Sequence, residues 1–216
     1  MITIVACKPL NIFVILIVSM LAISCANANK FNLEIYEGFY LGELLNEPAT
    51  LESIDDVKSS LAQPWYASVE VSDSNGSVNM GVNTCHRYFK AKEEGLAPVK
   101  EFERSAYNEF SIMCEAGKLI SESKPSATSY VDGFSMSENT PSILPKQLAF
   151  ITSDSEYKRA IEDPKLVQWN DVIELDTFTI TNAYSAVAKH QSMQQELSII
   201  SEADFNGDNL QDILLI

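Results

Sequence analysis

Four acidic or amide residues near the end of the chain have the types and spacing of metal ligands. Asp204, Asn206 and Asp208 alternate with other residues, and Asp212 follows four positions later. Counted from Asp204 as position 1, they occupy positions 1, 3, 5 and 9, and Leu210 at position 7 offers its backbone carbonyl. Calcium takes six to eight oxygen ligands, and a short flexible loop can supply them. The sequence therefore predicts a calcium-binding loop here.

The residues between these ligands suit the tight turn that such a loop needs. Gly207 permits a sharp bend, and position 6 is Asn209, the best non-glycine choice for a left-handed conformation. Position 12 is Leu215, so the bidentate glutamate of an EF-hand is missing, and we expect a modest Kd of ~10⁻⁴–10⁻³ M. The alternative interpretation is an Asx-rich turn between two strands, with its acids facing water.

The stretch DFNGDNLQD resembles the calcium loops of FG-GAP and VCBS-type repeats and of dockerins. Those loops have the form D-x-[DN]-G-D-G-x-x-D and are followed by an apolar strand or helix, as DILLI follows here. The resemblance implies that calcium is bound by a set of five residues: Asp204, Asn206, Asp208, Leu210 through its carbonyl, and Asp212. Asn209 departs from the pattern, because those families place a glycine there. Magnesium is disfavoured because it keeps its waters.

The first 28 residues are predicted to be a signal peptide. Lys8 is their only charged residue, an apolar run IFVILIVSMLAI begins at Ile12, and Ala26 and Ala28 form an A-x-A cleavage pattern. Two alternatives remain: a lipidated Cys25, or an uncleaved membrane anchor whose apolar core is shorter than the ~20 residues of a spanning helix. We therefore expect a periplasmic or secreted protein.

Cleavage after Ala28 would leave two cysteines, Cys85 and Cys114. Two cysteines in an oxidising compartment usually pair, so a Cys85–Cys114 disulfide is predicted, with two separate buried thiols as the alternative. No CxxC motif occurs, so a redox-active pair and a thiolate zinc site both lack support.

The composition is that of an acidic protein with a substantial core. Of the 216 residues, 46% are hydrophobic, and the formal net charge is −15. Binding to phosphate requires clustered Lys and Arg, so the charge argues against nucleic acid and against anionic lipid as partners. A basic partner or a divalent cation would suit such a surface.

The hydrophobic pattern predicts an α+β fold, with a mainly helical, hairpin-rich part at 29–165 and a mostly antiparallel β part at 166–216 that contains the calcium-type loop. The two parts could also form one domain. A β-bulge is expected in IELDTFTI, where the apolar phase flips between Leu175 and Phe178. A helix of about six turns is predicted from apolar residues at spacings of three and four. These are Val99, Phe102, Ala106, Phe110, Met113, Ala116 and Ile120.

Catalytic motifs are absent from the sequence. It contains no G-x-S-x-G, HExxH or P-loop, and His86 and His190 lie outside any motif. We therefore favour an exported, non-catalytic binding or structural protein whose partner is an unknown protein or envelope ligand. The alternatives are a cell-envelope hydrolase with a cryptic acidic site, and an envelope component tethered to the membrane by its N-terminal segment.

The overall layout resembles that of secreted bacterial proteins with an export signal, a cysteine-bearing helical hairpin and a C-terminal D-x-N-G-D segment. That resemblance implies no activity.

Overall fold

A computed structural model describes residues 31–149 and 153–216. The predicted signal peptide, with Ala26, Ala28 and the alternative lipidation site Cys25, lies outside the described residues. Within those residues, no helix combines the length and the apolarity needed to cross a bilayer.

The described chain contains five α-helices and eight strands. The helices are α1 (Ile54–Ser60), α2 (Cys85–Glu93), α3 (Arg104–Glu122), α4 (Asp154–Glu162) and α5 (Trp169–Val172). The strands are β1 (Glu34–Ile35), β2 (Val69–Ser72), β3 (Asn79–Val82), β4 (Ala97–Pro98), β5 (Thr177–Asn182), β6 (Ser185–His190), β7 (Met193–Ala203) and β8 (Asp212–Leu215).

The predicted α+β class is confirmed, because helices occupy the middle of the chain and strands β5–β8 form an antiparallel sheet. The sheet order is β1–β7–β6–β5, and β8 also pairs with β7. The first half of β7 pairs with β6, and its second half pairs with β1 and β8. A strand from the start of the described chain therefore completes the C-terminal sheet.

Successive residues of β7 contribute to two hydrophobic clusters. Ile200 packs in the first cluster, which contains Trp65 and Phe110. Ile199 packs in the second cluster, which contains Trp169. Neighbouring residues of a strand point to opposite faces, so the sheet lies between two cores.

The helix caps and the hairpin turn are formed by residues that lie close together in the sequence. Ser53 and Asp56 form a reciprocal capping box at α1, and the side chains of Thr84 and Ser153 cap α2 and α4. β2 and β3 form a hairpin, and Gly76 takes a φ of +68° in its turn. These features depend on neighbours in the sequence, so a local pattern is enough to predict them.

We expect the capping box at α1 to contribute pH-dependent stability. The Ser53 hydroxyl and the backbone N–H groups of Glu52 and Ser53 hold the pKa of Asp56 below its ordinary value of 3.8. A carboxyl whose pKa is lower in the folded state stabilises the fold above the unfolded value, and this contribution is lost as pH falls through the folded pKa. In urea titrations, wild type should therefore lose more stability below pH 3.8 than Asp56→Asn. A wild-type–variant difference that is constant with pH would contradict this.

The start of the long helix differs from the prediction. α3 begins at Arg104, and Val99 and Phe102 precede it with 53% and 79% of their surfaces exposed. The physical reason is strand β4, which pairs with β2 and draws this segment away from the helix axis. The stripe from Ala106 onward does face the core, since Ala106 packs against the first cluster and Phe110 is fully buried.

The bulge predicted between Leu175 and Phe178 is wrong. β5 begins at Thr177, so most of that interval precedes the strand, and the irregular pairing with β6 lies between Ile180 and Asn182. The apolar pattern changes phase here because strand β5 begins at Thr177. The ring of Phe178 then packs edge-on against Trp169.

The predicted disulfide is present. Cys85 and Cys114 are both fully buried, with their Cα atoms 5.2 Å apart, and the bond joins the first turn of α2 to the middle of α3. Because β4 and a 3₁₀ turn at Glu101–Glu103 lie between the two helices, no tight hairpin turn constrains their register.

Candidate functional site

The predicted calcium loop connects β7 to β8 and is held in place by the segment that follows α3. Asp204 and Lys124 exchange two backbone hydrogen bonds of 3.1 and 3.0 Å. The Asn209 carbonyl accepts from the N–H groups of Ala127 and Thr128, and the N–H of Gln211 donates to the Thr128 carbonyl at 2.9 Å. Both ends of the loop are therefore fixed to the same neighbouring segment.

Asp204 is the most buried of the predicted ligands, with 3% of its surface exposed. Its Oδ1 accepts from the Gly207 N–H at 2.6 Å, and its Oδ2 accepts from the Asn209 N–H at 3.0 Å. Burial alone would raise the pKa of this carboxyl, but the backbone N–H groups of the loop outweigh it and lower the pKa. Asp204 is therefore an ionised carboxylate around which the loop backbone turns.

The other predicted side-chain ligands also accept hydrogen bonds from the loop backbone. Asn206 Oδ1 accepts from the Asp208 N–H at 2.9 Å, and Asp208 Oδ1 accepts from the Leu210 N–H at 2.8 Å. Asp212 Oδ2 accepts from the Phe205 N–H at 3.1 Å. An ionised carboxylate offers about four acceptor positions, so these groups keep capacity for a further partner.

The backbone of the loop takes the conformation that the sequence predicts. Asn209 has a φ of +66° and Gly207 a φ of +82°. Asparagine is one of the few side-chain-bearing residues that accept this region, so the position that lacks the usual glycine is still compatible with the turn.

The oxygen chemistry of the loop fits calcium, but its carboxylates do not converge. Within residues 31–149 and 153–216, no three His, Cys, Asp or Glu side chains lie together closely enough to hold a metal ion. The predicted set has only three such residues, and each bonds to backbone N–H groups of the loop. Calcium binding by the five predicted residues therefore stays a prediction.

An acidic cavity of about 300 Å³ lies beside the loop. Glu34, Asp132 and Glu202 line it with Tyr36 and Gln211. The Tyr36 hydroxyl donates to Glu34 Oε2 at 2.8 Å, and Gln211 Nε2 donates to Glu202 Oε2 at 3.1 Å. Burial raises the pKa of Glu202, and the charges of Glu34 and Asp132 add to this against the interaction with Tyr36. The sequence does not predict this group, because its residues come from distant segments without a motif.

The two histidines lie on different elements. His86 is exposed in the first turn of α2, and its backbone N–H donates to the Leu61 carbonyl. His190 ends β6, where its Nδ1 lies 2.9 Å from the Glu174 carbonyl oxygen.

No protein-family model, curated protein or solved structure matches the chain. The fold defines its class, a disulfide-bonded α+β protein. Disulfides of this kind are typical of proteins in oxidising compartments.

Proposed function

We propose that the protein is an exported, non-catalytic binding or structural protein of the periplasm or the extracellular space, stabilised by calcium at residues 204–212. The observation that carries the calcium proposal is the geometry around Asp204. It is a buried carboxylate that accepts from the loop N–H groups of Gly207 and Asn209. The buried disulfide supports the compartment.

Calcium would act on structure and would carry out no chemistry. Asp204 would be joined by Asn206, Asp208, Asp212 and the Leu210 carbonyl. Asn206 and Asp208 are exposed, so their side chains can turn toward the ion without disturbing the core. A divalent cation would offset the repulsion among the three aspartates and fix the connection between β7 and β8.

A thermal melt tests this proposal directly. The exported protein, free of reductant, is heated in millimolar calcium and again in excess chelator. Millimolar calcium is about one- to tenfold the expected Kd and should add about 0.4–1.4 kcal/mol to the free energy of unfolding. For a chain of this size that corresponds to a rise in Tm of roughly 1–5 °C.

Three variants separate a metal loop from a polar turn. Asp204→Ala should abolish the calcium-dependent rise in Tm. Asp208→Asn should reduce it while keeping an oxygen for the Leu210 N–H, so a simple Asx turn would tolerate that change. Asp73→Asn is the matched control, since Asp73 accepts from the Ser77 and Val78 N–H groups in the β2–β3 turn. An equal calcium-dependent rise in wild type, Asp204→Ala and Asp208→Asn would refute the site.

A further inference from the structure

One residue that lines the acidic cavity, Gln211, has a buried hydrogen-bond acceptor without a donor. Gln211 is 8% exposed and lines the cavity. Its Nε2 donates to Glu202, but its Oε1 is buried and has no hydrogen-bond partner among the described residues. Reversing the amide would bring its oxygen against the Glu202 carboxylate and lose the existing bond. Buried polar atoms are normally paired, so a donor is missing here.

The three charged side chains that line the cavity with Gln211 are also acceptors. Glu34, Asp132 and Glu202 carry carboxylates, and the hydroxyl proton of Tyr36 is already donated to Glu34. A ligand that complements this set must bring N–H or O–H donors together with positive charge.

The geometry favours an organic cation over a bare metal ion. In the described ranges, Glu34, Asp132 and Glu202 do not converge on one point, and they come from separate segments of the fold and not from one flexible loop. Carboxylates that are spread around a cavity can instead each meet a different N–H group of a larger cation.

Part of the cavity wall is aromatic. The rings of Tyr36 and Tyr184 stack with their centroids 4.1 Å apart, and Phe31 and Phe134 also line the cavity. Aromatic faces attract cations, and apolar walls accommodate a short carbon chain. A volume of about 300 Å³ is at the lower end of the range for ligand pockets, so the ligand is small.

We propose that this cavity binds a small protonated amine or guanidine, with Gln211 Oε1 accepting one of its N–H groups and Glu34, Asp132 and Glu202 balancing its charge. This site is separate from the calcium function proposed above, although Gln211 belongs to the same loop.

Titration calorimetry on the exported protein tests the proposal, with putrescine and agmatine as probes. Both should bind saturably at one site. Butane-1,4-diol, which is similar in length and uncharged, should not bind, and tetramethylammonium, which lacks N–H donors, should bind roughly tenfold or more weakly. A lysine tripeptide is compared with putrescine. Tighter binding of putrescine indicates a free amine as the ligand, and tighter binding of the tripeptide indicates a lysine side chain of a protein partner.

Two variants test the assigned groups. Asp132→Asn removes a charge from an exposed residue and should leave the fold intact, while Gln211→Leu removes the unpaired acceptor. Each should weaken putrescine binding roughly tenfold. Glu101→Gln is the charge-matched control, because its side chain is 81% exposed and outside the cavity, and its affinity should equal that of wild type.

Failure to bind either amine, equal binding of the diol, or equal affinity in wild type and Asp132→Asn would overturn the proposal. The titrations are run in millimolar calcium and again in chelator. If neither amine binds in either condition, the calcium-dependent rise in Tm is still expected. The two proposals can therefore be refuted independently.

Discussion

The double variant Cys85→Ala/Cys114→Ala is expected to lose about 3–4 kcal/mol of unfolding free energy. The bond closes a loop with a sequence separation of 29, so its removal frees the unfolded chain over that length. Alanine is preferred to serine because both cysteines are fully buried, and a serine hydroxyl there would need a hydrogen-bond partner. Guanidinium titrations followed by circular dichroism measure the difference.

Wild type in strong reductant is the companion measurement for the disulfide. It should approach the stability of the double variant, since both lack the cross-link. Equal denaturation midpoints for oxidised wild type and the double variant would show that the bond does not stabilise the fold.

Phe110→Ala is expected to destabilise the protein by about 3–5 kcal/mol, the range for deletion of a buried aromatic ring. Phe110 is fully buried in α3, and its ring stacks on Trp65 with centroids 4.0 Å apart. Truncation removes this contact and leaves a cavity in the first cluster.

Phe102→Ala is the matched control for Phe110→Ala, since both residues belong to the same apolar spacing in the sequence. Phe102 precedes α3 and is 79% exposed, so its truncation should change stability by no more than about 0.5 kcal/mol. Urea titrations of the two variants compare the positions directly. Similar losses in both would mean that Phe102 also packs in a core and that α3 begins earlier.

The contrast between these two phenylalanines shows what a local pattern can predict. The spacing of three and four residues identifies the buried stripe of α3 correctly from Ala106 onward. It extends too far toward the N-terminus because Ala97–Pro98 pair with β2. That pairing connects residues which are distant in sequence, and helical periodicity carries no information about it.

The two candidate sites differ in the same way. The turn geometry around Asp204 could be predicted, down to the left-handed backbone of Asn209, because its partners lie within the next few residues. The cavity could not be predicted, because Glu34, Asp132 and Glu202 come together only when β1 pairs with β7 and the segment after α3 packs beside them. Each residue alone is an ordinary acid in an acidic chain.

The pairing of β1 with β7 also determines when the fold can be completed. Glu34 pairs with Glu202, and Ser201 Oγ donates to the Glu34 carbonyl at 2.6 Å across 167 positions of the chain. Contacts between such distant residues slow folding, because the entropy of closing a long loop is lost before the contacts form. The ribosome must therefore release most of the chain before this sheet can close. For a protein that we propose to be exported, such late closure favours an extended, unfolded chain during passage across the membrane.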